Sequence, residues 1–199
     1  MNVLVLGSGG REHALVVRLA ADPSVAHVWC APGNPGIAPG ARWPTLSPLD
    51  PDAVIAFCRR HLISLVVPGP EAPLALGLAD RLTAAGIECF GPSRAAARLE
   101  TSKAFAKAFM VRHGIPTARH HTCATPVEAH QALDAFGLPV VIKADGLAAG
   151  KGVVIATTRD EARQAVDAAM VDCVFGDAGR TLVIEEFLTG EEASFFAIC

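Results

Sequence analysis

The chain has 199 residues, 51% of them hydrophobic and 19% charged, with 18 glycines, 14 prolines and a formal net charge of -3. That apolar fraction excludes intrinsic disorder, the glycine and proline content excludes a fibrous or coiled-coil chain, and the length leaves room for one large domain or two small ones. The slightly acidic balance supplies no general positive field, so nucleic acid is not expected as a partner.

Short β-branched runs alternate with helix-length segments over the first hundred residues, the pattern of a parallel sheet covered by helices. Strands are predicted over 3–6, 27–30, 63–67 and 87–90, and helices over 11–21, 51–61 and 73–85. Asp50 followed by Pro51 is a helix start, and Gly86 a helix stop. This α/β domain ends near Gly91-Pro92-Ser93. A helical region over 93–113 follows, broken near 100–102 and stopped by Gly114 and Pro116. Then come a strand over 119–123, a helix over 126–136, and two β runs, 139–143 and 153–156, joined by a glycine-rich loop short enough for a hairpin. A helix over 159–170 and strands over 181–187 and 193–198 complete the reading. The last run is apolar and stops without turn or cap, so a longer polypeptide is expected, of which this is the front part.

Six cysteines, Cys30, Cys58, Cys89, Cys123, Cys173 and Cys199, lie 26 to 50 positions apart without a C-x-x-C pair. That spacing suits neither a zinc cage nor a disulfide-stapled fold and reads as buried, reduced thiols. The N-terminal run lacks a basic region and is too short for a signal peptide, and no stretch reaches the roughly 18 apolar residues of a membrane span. A cytoplasmic protein without a membrane partner is expected.

Gly7-Ser8-Gly9-Gly10-Arg11-Glu12-His13 follows the first strand and opens a helix, a place where backbone N–H groups and the helix dipole favour an anion. A dinucleotide fingerprint needs glycine where Glu12 stands, and a ribose-binding acid at the end of the second strand, where the chain reads Cys30-Ala31-Pro32-Gly33-Asn34. The loop therefore reads as a site for a different small anionic ligand, with a tight structural turn and a dinucleotide site as alternatives. Two further loops fall at strand ends of the same sheet, Pro32 to Gly36 and Pro68 to Glu71. Glu71 there is either an acceptor for sugar hydroxyls or a solvated charge.

The second glycine loop, Lys143-Ala144-Asp145-Gly146-Leu147-Ala148-Ala149-Gly150-Lys151-Gly152-Val153, lies between strands and departs from the Walker A spacing. Such a loop can fold over a nucleotide's phosphates, offering N–H groups and Lys151. Downstream, Glu185-Glu186-Phe187-Leu188 ends a strand and Gly190-Glu191-Glu192 follows, a corner that reads either as solvated acids at a strand end or as apolar residues for an adenine ring with a carboxylate for a ribose. Only four of the 17 basic residues are lysines, Lys103, Lys107, Lys143 and Lys151, and two of them bracket this loop.

Taken in order, the hairpin loop, Glu-Glu-Phe-Leu and Gly-Glu-Glu resemble the nucleotide-binding half of the ATP-grasp ligases. The segments 7–14, 32–36, 69–73, 90–93, 102–106, 142–154 and 185–195 together resemble the glycinamide ribonucleotide synthetase family of purine synthesis (phosphoribosylamine-glycine ligases). The resemblance implies an α/β chain. A Rossmann-like, parallel-sheet pre-ATP-grasp domain would occupy 1–101, and the first part of an α+β ATP-grasp domain 102–199. It implies that Lys103 and Lys143 reach ATP phosphates and that Ala148, Ala149, Gly150, Lys151, Gly152 and Val153 close over them, with Lys143 and Lys151 the catalytic lysines. Glu185, Glu186, Phe187 and Leu188 would hold adenine, and Glu192 the ATP ribose. Gly9, Gly10, Arg11, Glu12 and Glu71 would surround 5-phosphoribosylamine.

The implied reaction joins glycine to 5-phosphoribosylamine through a glycyl phosphate, giving glycinamide ribonucleotide, ADP and phosphate. The family's Mg²⁺ (or Mn²⁺) ligands are expected beyond Cys199, with none inside this chain, so the chain alone is expected not to turn over. Partners implied are the small-molecule substrates, with fusion to, or work beside, other purine-pathway enzymes allowed. The alternatives are another ATP-grasp carboxylate–amine ligase, a dinucleotide-dependent oxidoreductase, and a non-catalytic binding fragment. His120 and His121 are adjacent, face opposite ways on a strand and cannot chelate together. His13 reads as either part of the sugar-phosphate site or helix packing, Trp29 and Trp43 as packing residues, and Lys107 as an ordinary helix-surface residue.

Overall fold

A computed structural model describes residues 1–37, 44–147, 151–195 and 197. The chain divides into two compact units, Met1–Thr101 and Ser102–Cys199.

The first unit is built on four parallel strands, β1 (Asn2–Gly7), β2 (His27–Pro32), β3 (Leu65–Pro68) and β4 (Glu88–Cys89), in the order β2-β1-β3-β4. Central strands covered on both faces need apolar side chains at every position, and Val3, Leu4, Val5 and Leu6 are all fully buried. Alternation splits them between two layers. Leu4 and Leu6 join Trp29, Val66, Val54, Cys58, Leu78 and Leu82 on one side, while Val3 and Val5 join Val28, Cys30 and Val16 on the other. Trp29 packs edge-on against His27 and Phe57, as expected of a packing residue; Trp43 lies outside the described residues.

Helix α1 (Gly10–Ala20) supplies Val16 to one layer, and α2 (Pro51–His61) supplies Val54 and Cys58 to the other. The Asp50 carboxylate caps α2 by accepting the Ala53 N–H at 3.0 Å. The helix expected over 73–85 is two, α3 (Ala72–Ala75) and α4 (Leu78–Ala84), because Gly77 takes a left-handed φ of 85° between them. Helix α5 (Arg94–Thr101) closes the unit. With β1 between β2 and β3, the chain leaves β1 and β3 toward opposite faces, which opens a crevice at the carboxyl ends of those two strands.

The second unit begins with α6 (Lys103–Arg112) and contains β5 (His120–Cys123), α7 (Pro126–Leu133), β6 (Val140–Ala144), β7 (Val153–Ala156), α8 (Arg159–Met170), a 3-10 turn (Gly176–Arg180) and β8 (Leu182–Glu186). The strands form an antiparallel sheet in the order β5-β8-β6-β7. One face carries Val140, Ile142, Ala144, Leu182 and Ile184 into a core with α7 and α8. Both helices start with a capping box, Thr125 with Glu128 and Thr158 with Glu161, each satisfying N–H groups that would otherwise lack partners. The other face carries Val141, Lys143, Val183 and Glu185 by the same alternation. Across the ladder Glu185 stands opposite His120 and Val141, and Lys143 opposite Val183 and Val153.

Two expectations need correction. The run 193–198 forms no strand among its described residues, and Phe195 is 92% exposed. A strand needs a neighbour for its N–H and C=O groups, and both sides of the adjacent strand β8 are already taken by β5 and β6. Cys173, expected to be buried, is exposed in the turn after α8; Cys30, Cys58 and Cys123 are buried, Cys89 is half-buried, and all five are free thiols. Cys199 lies outside the described residues. Among the described residues, no helix is long and apolar enough to cross a membrane.

Burial pushes the Cys30, Cys58, Cys89 and Cys123 thiols from the ordinary 9.0 up to about 11. The folded chain therefore holds these protons to higher pH than the unfolded chain. The stability this contributes is complete below pH 9 and is lost as pH climbs through about 11. We expect the urea midpoint to fall between pH 9 and pH 11. Iodoacetamide at pH 8 should label Cys173 in the native protein, and Cys30, Cys58 and Cys123 only after unfolding, as read by peptide mass mapping.

Candidate functional site

At the carboxyl edge of the parallel sheet three loops are laced together by their backbones. Gly33 N–H donates to the Gly7 carbonyl at 3.0 Å and Gly69 N–H to the Leu6 carbonyl at 2.8 Å. Asn34 donates its side-chain amide to the Ser8 carbonyl at 2.8 Å while its Oδ1 accepts the Gly36 N–H at 2.8 Å. His13 lies beside Gly36, so it helps shape this edge.

Glu12 occupies the centre of these loops. It is only 4% exposed, and its Oε2 accepts the Gly9 N–H at 2.6 Å, so the carboxylate turns back over the start of its own helix. Its Oε1 is buried without a hydrogen-bond partner among the described residues. Glycine is required around it: a Cβ on Gly69 would lie 1.9 Å from Glu12 Oε1, and one on Gly7, where φ is also 134°, 2.6 Å from Glu12 Cγ. The sequence left the α1 N-terminus as a site for a small external anion; the structure fills that position with the Glu12 carboxylate. The positive end of the helix dipole is met from within the chain. For the same reason a dinucleotide pyrophosphate has no place there.

The residues expected to bind substrate do converge. Arg11 Nη2 lies 3.7 Å from Glu71 Oε1, and Arg11 Nε lies 3.9 Å from Glu12 Oε1. Gly9 and Gly10 are exposed beside them. Arg11 and Glu12 also line a cleft of about 470 Å³ with Leu74 and Phe90. An exposed guanidinium beside two carboxylates, at the edge of a largely apolar cleft, suits a ligand carrying both anionic and hydroxyl or amine groups.

In the second unit the lysines gather on the sheet face opposite the core. Lys143 on β6 and Lys107 on α6 both place Nζ on the same oxygen of Glu185, Oε2, at 3.0 and 3.1 Å. Glu185 is 4% exposed and its Oε1 is buried without a hydrogen-bond partner among the described residues. Lys107 also donates to Thr117 Oγ1 at 2.7 Å and to the Ala118 carbonyl at 3.5 Å. Lys103 donates to the Gly146 carbonyl at 2.9 Å. Beside it, Asp145 accepts the Ala104 N–H and the Ser102 hydroxyl, both at 3.1 Å, and Ser102 caps α6 by accepting the Phe105 N–H. The start of α6 is thereby tied to the end of β6, which sets Lys103 at the mouth of the hairpin loop.

Other predicted residues lie apart from this cluster. Glu186 points to the other side of β8, where its carboxylate accepts the Arg119 N–H at 2.7 Å. Phe187 and Leu188 are exposed apolar side chains just beyond the strand. Gly152 is buried, its carbonyl accepting the Ala144 N–H at 2.8 Å, and Val153 is exposed. Lys151 and Glu192 are exposed, and no described contact ties them to Glu185. Ala148, Ala149 and Gly150 lie outside the described residues.

Lys107 corrects the expectation of a surface residue: it is 7% exposed, with an ammonium held by three acceptors. Its i,i+4 spacing from Lys103, which places both on one helix face, was the available signal. Asp145 was also missed as a cap.

This arrangement leaves a buried acceptor, Glu185 Oε1, beside a part-exposed ammonium, on a sheet face of valines. A nucleotide fits, since its base offers an amino donor and an apolar ring and its phosphates offer anionic acceptors. Among the described residues no group of three or more His, Cys, Asp or Glu is assembled to hold a metal ion.

Comparisons with known proteins agree with this division. Residues 1–100 match the family model "Phosphoribosylglycinamide synthetase, N domain", and residues 101–199 match "Phosphoribosylglycinamide synthetase, ATP-grasp (A) domain". A phosphoribosylamine–glycine ligase from Ralstonia nicotianae is 55% identical over 199 residues, covering 100% of this chain and 47% of the relative. The chain thus spans about half the length of the curated relatives it matches. The crystal structure of a phosphoribosylamine–glycine ligase from Thermotoga maritima superposes with a TM-score of 0.79 at 32% identity, over 96% of this chain and 45% of that one. The biotin carboxylase domain of a Hydrogenobacter thermophilus 2-oxoglutarate carboxylase shares the fold, with a TM-score of 0.71 at 20% identity, over 94% of this chain and 44% of that one.

Gly69→Ala should destabilise the first unit by about 2 kcal/mol, the usual scale for forcing atoms into a filled site. In a Glu12→Ala background the same change should cost much less, because the clashing carboxylate is gone. Urea unfolding of the four proteins in this cycle measures the difference.

Proposed function

The chain belongs to the phosphoribosylglycinamide synthetase family, and from that premise we propose that it serves within an ATP-dependent ligase joining glycine to 5-phosphoribosylamine. In this reading the glycine carboxylate attacks the γ-phosphorus of ATP, the bond to ADP breaks, and a glycyl phosphate results. The sugar amine then attacks the acyl carbon, phosphate leaves and the amine loses a proton, giving glycinamide ribonucleotide. Catalysis of this kind is mostly positioning and charge neutralisation.

The observation that carries the proposal is the Lys143–Glu185–Lys107 cluster, in which Lys143 is 29% exposed and able to turn toward a ligand. We assign Lys143 and Lys103 to the ATP phosphates, and Lys151 with residues 148–153 to the loop that covers them. Glu185 to Leu188 hold adenine, with Glu185 Oε1 accepting an N–H and Phe187 and Leu188 covering the ring. The Glu186 side chain is committed to Arg119, so its contribution comes from its backbone. Glu192 is assigned to the ribose. Gly9, Gly10, Arg11, Glu12 and Glu71 face 5-phosphoribosylamine, with the exposed Arg11 guanidinium assigned to its phosphate and the carboxylates to its hydroxyls and amine. The related biotin carboxylase domain was itself solved with MgADP. Mg²⁺ or Mn²⁺ would supply charge neutralisation at the phosphates when bound. Free thiols, none paired among the described residues, suit a cytoplasmic location.

Lys143→Ala in the full-length protein should lower kcat/KM for ATP by about a hundredfold or more, the scale for removing one charge-stabilising donor. Near-normal ATP kinetics would contradict the assignment. Release of phosphate from ATP should require glycine and 5-phosphoribosylamine together; a preference for another carboxylate or amine would move the protein to a different ligase reaction.

A further inference from the structure

Two ammonium groups share one oxygen of one buried carboxylate, and they differ in what else they do. Lys107 Nζ lies 3.1 Å from Glu185 Oε2 and donates to Thr117 Oγ1 and the Ala118 carbonyl, and its side chain is 9% exposed. It is enclosed by chain acceptors and turned away from solvent. Lys143 has Glu185 as its one described partner and is 29% exposed, which leaves it donors and a path toward solvent. Two ammoniums on one carboxylate leave a net positive charge, a poor match for each other and a good match for an arriving polyanion.

Were Lys143 the sole partner of Glu185, drawing it away would strand a buried carboxylate, which is strongly unfavourable. With Lys107 in place the carboxylate keeps a partner at 3.1 Å when Lys143 leaves. We infer that Lys107 is a positioning residue: it is the permanent counter-ion of Glu185 and thereby frees Lys143 to transfer to the nucleotide's phosphates. Lys107 never touches the nucleotide; it acts through Glu185. This rests on the ATP reading above.

The test is a double-mutant cycle in the full-length protein, with ADP binding in the presence of Mg²⁺ measured by titration calorimetry. If the wild-type protein binds no ADP, the ATP reading itself fails, and that outcome is distinct from the ones that follow. Lys107→Met should weaken ADP binding by about tenfold or more. In a Glu185→Gln background, where no carboxylate competes for Lys143, the same change should weaken it by less than about threefold. Equal losses in both backgrounds, or unchanged binding in Lys107→Met, would overturn the inference. A lysine that merely supported folding would lower the unfolding temperature without changing the affinity of the folded fraction. Should Lys107→Met alone fail to fold, Glu185→Gln/Lys107→Met, in which neither member of the buried pair is charged, is compared with Glu185→Gln, in which Lys107 keeps Thr117 Oγ1 and the Ala118 carbonyl. There a difference under threefold supports the inference and a tenfold loss refutes it.

Discussion

Taking a carboxylate out of water costs several kcal/mol unless its charge and its lone pairs are met, and each unit of this chain buries one. Glu12 and Glu185 are alike: each has one oxygen held by the chain and the other, Oε1, buried without a hydrogen-bond partner among the described residues. A half-satisfied buried carboxylate persists where surrounding structure compels it, and where a ligand can complete it. Most of the local architecture of both candidate sites can be understood as what is needed to hold these two groups.

Around Glu12 the need is for space and N–H groups. The glycine-rich loop after β1 looks, as a sequence, like a cradle for an external phosphate. In the fold its glycines leave room for an internal carboxylate: a Cβ at Gly7 or Gly69 would overlap Glu12. Around Glu185 the need is for positive charge. Two of the chain's few lysines serve it, from α6 and β6, and a third, Lys103, is set nearby through the cap that Ser102 and Asp145 build. Scarcity of lysine is then understandable, since most of those present are committed to one site.

How far the sequence reveals this depends on the range of the interaction that decides each feature. Helix α2 could be delimited from Asp50-Pro51, because caps act over three or four residues, whereas the Thr158–Glu161 box that starts α8 was seen only in the structure. Strands β1 and β7 announced themselves by β-branched runs. The break at Gly77 hinged on one left-handed residue inside a helix-like stretch. The run 193–198 has strand composition, yet composition does not supply a neighbouring strand. Of the sites, the glycine loops, Glu71, Lys143 and Glu185 were legible as motifs. Burial of Lys107 was not, because the group that buries it is 78 residues away in sequence and meets it only through the sheet. Glu12 was legible as a departure from the dinucleotide pattern, but not as a buried carboxylate turned back onto the Gly9 N–H.

If Lys107 holds Glu185 so that Lys143 can serve the nucleotide, a crystal structure of the full-length protein with a non-hydrolysable ATP analogue will show it. Lys143 Nζ is expected within hydrogen-bonding distance of a phosphate oxygen and released from Glu185, with Lys107 still on Glu185 Oε2. Lys143 remaining on Glu185 while the phosphates are held elsewhere, or Lys107 itself reaching the phosphates, would contradict it.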